Sequence, residues 1–114
     1  MSKTLTVSDE TYDLIKDQLD ESEQVDVNDY QDFVGKKLFI RTVTYHLTGK
    51  VVKIIGQFME LKDAAYIASD GRFTQAIDDG ELDEIEPVKV QVWVNINSIT
   101  DIYLWKHKLP RKQK

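Results

Sequence analysis

The chain has 114 residues, 41% of them apolar, no cysteine and a formal net charge of −5 at pH 7. That length supports one domain whose core buries roughly 60–70% of the surface its unfolded form exposes. The absence of cysteine excludes disulfides and thiolate zinc sites. No run of about 18 apolar residues is present to span a bilayer, and no secretory pattern opens the chain, so a cytoplasm is the expected location.

Charge is unevenly placed along the sequence. Ten acids and one base, Lys16, lie between Asp9 and Asp32. From Phe33 to Ser69 the balance reverses, and Lys36, Lys37, Arg41, Lys50, Lys53 and Lys62 face only Glu60 and Asp63. Acids return in Asp78, Asp79, Glu81, Asp83, Glu84 and Glu86, and the tail carries Lys106, Lys108, Arg111, Lys112 and Lys114. Acidic segments flanking a basic centre fit either a masked anion-binding surface or a solvated exterior that keeps a barrel soluble.

In chain order, Leu5 and Val7 alternate with polar residues, which predicts a short strand over 3–7. Ser8 then serves as a helix N-cap, with Asp9 and Glu10 in the first turn. Tyr12, Ile15 and Leu19 recur at helical spacing, predicting an amphipathic helix over 9–19. Strand-then-helix suggests a ribbon-helix-helix DNA binder, but that fold needs a second helix where residues 20–28 form an acidic run. Residues 29–34 predict a short helix that places Tyr30, Phe33 and Val34 over the open end of a barrel, and Gly35 ends it.

β patterning then predominates. Strands are predicted over 37–45 and 47–55, with a bend at Thr48-Gly49 and a break or bulge at Gly56. A third strand, 58–69, is closed by the tight-turn pair Asp70-Gly71. Residues 72–87 read as an irregular acidic excursion with one helical turn near 73–77. Residues 89–96 alternate, with Val90, Val92, Val94 and Ile96 on one face and Gln91, Trp93 and Asn95 on the other. A turn at Ser98 leads into a last strand over 99–105.

Four segments in this order resemble the Sm-like family. Asp32-Phe33-Val34-Gly35-Lys36-Lys37-Leu38-Phe39-Ile40 reads as the family's short helix, glycine-lysine pair and first strand. Gly49 with Val51 fits the glycine at which the second strand bends. Leu61-Lys62-Asp63-Ala64 supplies the end of the third strand, and residues 92–97 with 99–105 match the final pair. The resemblance implies a mainly β fold: a small, strongly bent, five-stranded antiparallel barrel, here with an N-terminal helix and an acidic insertion. It divides the chain into an extension (1–28), a barrel (29–105, with the insertion 72–87) and a basic tail (106–114). Short extensions and a degenerate motif would suit a phage-encoded member.

The resemblance also implies function. Sm-like proteins form rings in which the fourth strand of one subunit pairs with the fifth of the next. A homo-oligomeric ring would occupy Trp93, Tyr103 and Trp105, which lie on outward alternations of those strands; otherwise they pack on the helix or the insertion of the same chain. Single-stranded RNA is the implied partner, with contacts on Gln57, Phe58, Asn95 and Asn97 supported by Lys36 and Lys53. The family's uridine pocket is altered, because its Asp and Asn fall within residues 54–58, where Gln57 is the only base-reading side chain. Its Arg-Gly pair falls on Asn95 and Ile96. Trp105-Lys106-His107 echoes the Tyr-Lys-His of bacterial Hfq. The alternative is a protein-interaction or phage assembly module that keeps the ring without the pocket.

Enzyme motifs are lacking. His46 and His107 have no ligand-spaced partner, no phosphate-cradling glycine loop or nucleophile elbow occurs, and the 78–86 acids lack calcium-loop order. No cofactor, metal or membrane is expected.

Overall fold

Between Lys37 and Leu104 the chain forms six strands, and the computed structural model, which describes residues 25–114, joins them into one antiparallel sheet. They are β1 (Lys37–Thr42), β2 (His46–Ile55), β3 (Phe58–Ser69), β4 (Glu84–Pro87), β5 (Val92–Asn95) and β6 (Ile99–Leu104). The order is β4-β3-β2-β1-β6, with β5 also paired to β3. The strand and helix expected over 3–7 and 9–19 lie outside the described residues. Ahead of β1 stands a 3-10 helix, Tyr30–Phe33, within the span 29–34 that the sequence marks as helical. Asp29 caps it, accepting from the Gln31 amide, while Asp32 accepts from the Asp29 amide. Only Phe33 of its aromatic residues packs on the core; Tyr30 and Val34 are exposed.

The sheet bends because β2 and β3 are irregular at matched places. Their register shifts between Thr48 and Lys50 and again between Val51 and Lys53, and extra residues of this kind increase local twist. Asp63 sits at φ 51°, a left-handed conformation in mid-strand. At Gly49 a side chain would place its Cβ 3.2 Å from Leu61 Cβ and 3.4 Å from Ala64 Cβ. Glycine therefore lets β2 lie against the inner side of β3. On the edge away from β2, the 12 residues of β3 serve two partners: residues 58–61 pair with β5, and residues 65–69 with β4.

Both faces of this sheet are covered near β1, which the consecutive apolar run Leu38-Phe39-Ile40 requires. Leu38 and Ile40 join Leu47, Val51, Met59, Leu61 and Val94 in the concave core. Phe39 points the other way, into a second core with Ala65, Ile67, Ala76, Leu82, Ile85 and Trp105. The acidic insertion is thus no appendage. It supplies helix α1 (Phe73–Asp79), capped by Gly80 at φ 77°, and then β4, so its acids face water while Ala76, Leu82 and Ile85 are buried. The basic tail lies along β4. Ile85 and Lys114 exchange both backbone hydrogen bonds, at 2.9 and 3.0 Å, Arg111 pairs with Asp63 at 3.2 Å, and Leu109 packs on the second core. Among the described residues no helix is long and apolar enough to cross a membrane.

Candidate nucleic-acid interface

Two turns meet at one end of the sheet. Gly56-Gln57 joins β2 to β3 as a two-residue hairpin loop, with Ile55 opposite Phe58 and Gly56 at φ 55°, the sign a type II′ turn needs at its first position. A second 3-10 helix, Ile96–Ser98, joins β5 to β6, and the Asn95 side chain caps it by accepting from the Asn97 amide at 2.9 Å. The turns are tied together: the Ile96 amide donates to the Gln57 carbonyl at 2.8 Å, and Asn97 Nδ2 donates to Gln57 Oε1 at 2.7 Å. Phe58 lies directly opposite Asn95. The fold therefore gathers Gln57, Phe58, Asn95 and Asn97, distant in sequence, into one exposed cluster.

This cluster holds amides and an aromatic ring, with no acid, base or nucleophile among those four side chains. Gln57 retains its NH₂ group and Asn97 its carbonyl oxygen, a donor and an acceptor of the kind that reads a base edge. Phe58 is 45% exposed and offers a stacking surface.

The two lysines assigned to RNA lie elsewhere. Lys36 sits at the foot of β1, where its carbonyl accepts from the Val51 amide, beside a hollow lined by Lys37 and Trp105. Lys53 is nearer the turns, on β2, with Nζ 3.9 Å from Glu60. The aromatics assigned to an interface separate as well. Trp93 is 51% exposed. Trp105 does not look outward: it is 3% exposed, stacks on Phe39 with centroids 5.8 Å apart, and donates from Nε1 to the Lys108 carbonyl. Tyr103 packs edge-on against Phe73 of α1 at 5.0 Å. Both rings serve the second core, because the insertion covers the face that alternation in β6 makes outward. His107, in the Hfq-like tripeptide, lies against Trp105 with Nε2 2.8 Å from the Ile77 carbonyl.

Two polar arrangements were not visible in the sequence. Glu60 is only 5% exposed, yet it is a carboxylate in mid-strand. Trp93 Nε1 donates to it at 3.0 Å and Gln91 Nε2 at 3.4 Å, because Glu60 and Trp93 are cross-strand partners. On the opposite side of the sheet order, Arg41 on β1 faces Asp101 on β6. Arg41 Nε lies 2.9 Å from both Asp101 oxygens, Nη2 also bonds Oδ2, and the guanidinium stands 4.4 Å over the Phe73 ring. The Arg41 hydrogen bonds, helped by Tyr103 and Thr100 and opposed by burial, hold the Asp101 carboxyl well below the usual carboxylate range. The same contact raises Arg41, and Asp101 raises the Tyr103 hydroxyl. Arg41 is thus committed to the fold. His46 pairs with Asp70 at 3.2 Å, and no group of three or more metal-ligating side chains assembles among the described residues.

Comparison with solved structures finds similar chain paths at low identity. A heptameric archaeal Sm protein shares 17% identity over 65% of this chain and 91% of its own, with a TM-score of 0.46. The P. aerophilum SmAP1 heptamer shares 17% over 65% and 84%, also at 0.46. A chain of the NatC complex bound to CoA shares 18% over 71% and 90%, at 0.49. At these identities and scores the likenesses assign no function. No family model and no curated protein matches the chain.

Proposed function

We propose that this chain is a ring-forming, non-enzymatic protein of the Sm-like type that binds single-stranded RNA at the Gln57, Phe58, Asn95 and Asn97 cluster. The observation that carries the reading is the joining of the two turns by the Asn97–Gln57 hydrogen bond at 2.7 Å. Two amides beside an exposed ring support a reading in which a base is stacked and its edge read. Copies arranged in a ring would repeat the cluster and add weak contacts through multivalency.

The sheet edges support assembly. Among the described residues β5 pairs only with β3, and β6 only with β1, so each leaves one edge unpaired. Unpaired edges invite strand addition. Joining β5 of one copy to β6 of the next is a heterologous contact, which closes into a ring when the rotation per copy permits. Exposed Trp93, on β5, would lie beside that contact.

A second reading, a protein-interaction or phage assembly module that keeps the ring, draws on one observation. Gln57 and Asn97 spend part of their hydrogen-bonding capacity on each other, and no guanidinium stands at the Asn95 turn. Solution mass, measured with and without oligo-U and oligo-A, separates the readings. An oligomer that takes up RNA supports the first. An oligomer indifferent to RNA at low salt supports the second, and a monomer removes the ring from both.

A further inference from the structure

The outer face of the sheet carries a pattern that only the register reveals. Residues directly opposite one another on neighbouring strands project from the same face. Lys37 faces Lys50, and Lys50 faces Lys62, which sets three lysines in a row across β1, β2 and β3. The next rows on that face bring Lys53, Glu60 and Trp93 together, then Ile55, Phe58 and Asn95. Met59 and Leu61, which alternate with these residues along β3, are fully buried on the inner side.

Like charges placed directly opposite each other destabilise a sheet, and among the described residues no carboxylate forms an ion pair with Lys37, Lys50 or Lys62. Lys37 is tied to the His107 carbonyl at 2.6 Å. The ion pairs among the described residues include neither Lys50 nor Lys62. Glu60, the carboxylate that the described residues place in these rows, is buried beneath Trp93 and Lys53. Beside Lys62 opens a groove of about 410 Å³ whose lining includes Lys89 together with Asp63 and Arg111, which pair with each other. In a chain of net charge −5, Lys50 and Lys62 thus stand side by side without an ion pair among the described residues.

We infer that this face is a second nucleic-acid surface: Lys50, Lys62 and Lys89 take the phosphodiester backbone of a single strand, and Trp93 and Phe58 stack its bases. The inference shares with the proposed function the class of ligand, RNA, but does not depend on the turn amides. Charge complementarity supplies the first half of the argument. The second is the setting of Trp93. Its N–H is consumed inward by Glu60, so its exposed half offers only ring carbon, a surface suited to stacking and unable to donate to a peptide. Glu60 also fixes the ring in place, so little freedom is lost when a base lands on it.

The test uses the full chain and labelled oligo-U, with binding followed by fluorescence anisotropy across a salt series. Lys50→Gln with Lys62→Gln should weaken binding by at least about tenfold at low salt and flatten the log–log salt slope by roughly 0.7 per lysine. The same double variant should melt no lower than the parent, because it relieves repulsion, which separates lost binding from lost folding. Oligo-U should quench the emission of Trp93, and Trp93→Phe should abolish that signal. Asn97→Ala distinguishes the two surfaces. If it alone abolishes binding and the lysine variant is silent, the strand face is refuted and the turn cluster stands. If the lysine variant alone acts, the reverse holds. If the parent does not bind oligo-U at about 50 mM salt, both fall. Competition by polyglutamate at equal charge concentration, through the same lysines, would overturn the assignment to nucleic acid.

Discussion

Replacing Asp101 by Asn tests whether the Arg41 cluster fastens β6 to β1. The carboxylate accepts from Arg41 Nε at 2.9 Å, from Arg41 Nη2, from the Tyr103 hydroxyl at 2.7 Å and from Thr100 at 3.0 Å. An amide of the same shape would keep one acceptor and turn an NH₂ group toward donors. Hydrogen bonds to charged groups contribute about 1.5–3 kcal/mol each when well shielded. The Arg41 and Asp101 side chains are 32% and 29% exposed, so solvent screening reduces the loss for the whole cluster to about 1–2 kcal/mol. Urea unfolding of parent and variant across pH is the assay. Because the folded carboxyl titrates below its unfolded value, its contribution is complete above about pH 4 and is lost as pH falls below that. The gap between parent and variant should therefore be full near neutrality and close progressively in acid. The His46–Asp70 pair is common to both proteins and cancels from the difference. A gap that stays constant from neutral pH down to about pH 2 would refute the charge-based account and leave a packing effect in its place.

Three further outcomes rest on the packing. Trp105→Ala should cost about 3–5 kcal/mol, since it empties the centre of the second core; Trp105→Phe, which keeps much of the volume, should recover a good part of that in the same denaturation experiment. Gly49→Ala should destabilise by about 1–3 kcal/mol through the contacts its Cβ would make with Leu61 and Ala64, and a neutral result would show that β2 and β3 can part there at no cost. Removing residues 110–114 uncovers the β4 edge that Lys114 bridges, so the truncated chain should show faster amide exchange at Ile85 and a concentration-dependent rise in light scattering.

The parts of the fold that were legible in the sequence are those fixed by local chemistry. β3 begins and ends where Gly56-Gln57 and Asp70-Gly71 place turns, and the four cluster residues lie at turns that the sequence marks. The second core was legible only in part. Phe73, Ala76 and Ile77 stand at helical spacing, but the acids around them suggested a solvated loop, because composition averages over faces that a short helix separates. Outward placement of Trp105 failed for the same reason: alternation predicts two faces and does not say that both are covered. The lysine row was illegible. It depends on two register shifts between β2 and β3, and one residue of slip would move Lys50 to the other face.

Those shifts link the two proposed surfaces. At Ile54 and Ile55 the register brings β2 into the hairpin whose turn, at Gln57, meets Asn97. One bulge earlier, the same strand turns Lys50 toward Lys62. The bend thus directs a single strand of backbone toward both an amide cluster at the sheet's end and a cationic strip across its outer side. Phe58 belongs to both, since it borders the turn and shares a face with Trp93. Were both proposals to hold, an unpaired strand would run from the groove beside Lys62, over Trp93 and Phe58, to Asn97. Glu60 at its centre then has a reason to be buried. An exposed carboxylate there would repel phosphate, whereas one held beneath Trp93 orients the ring that the path requires.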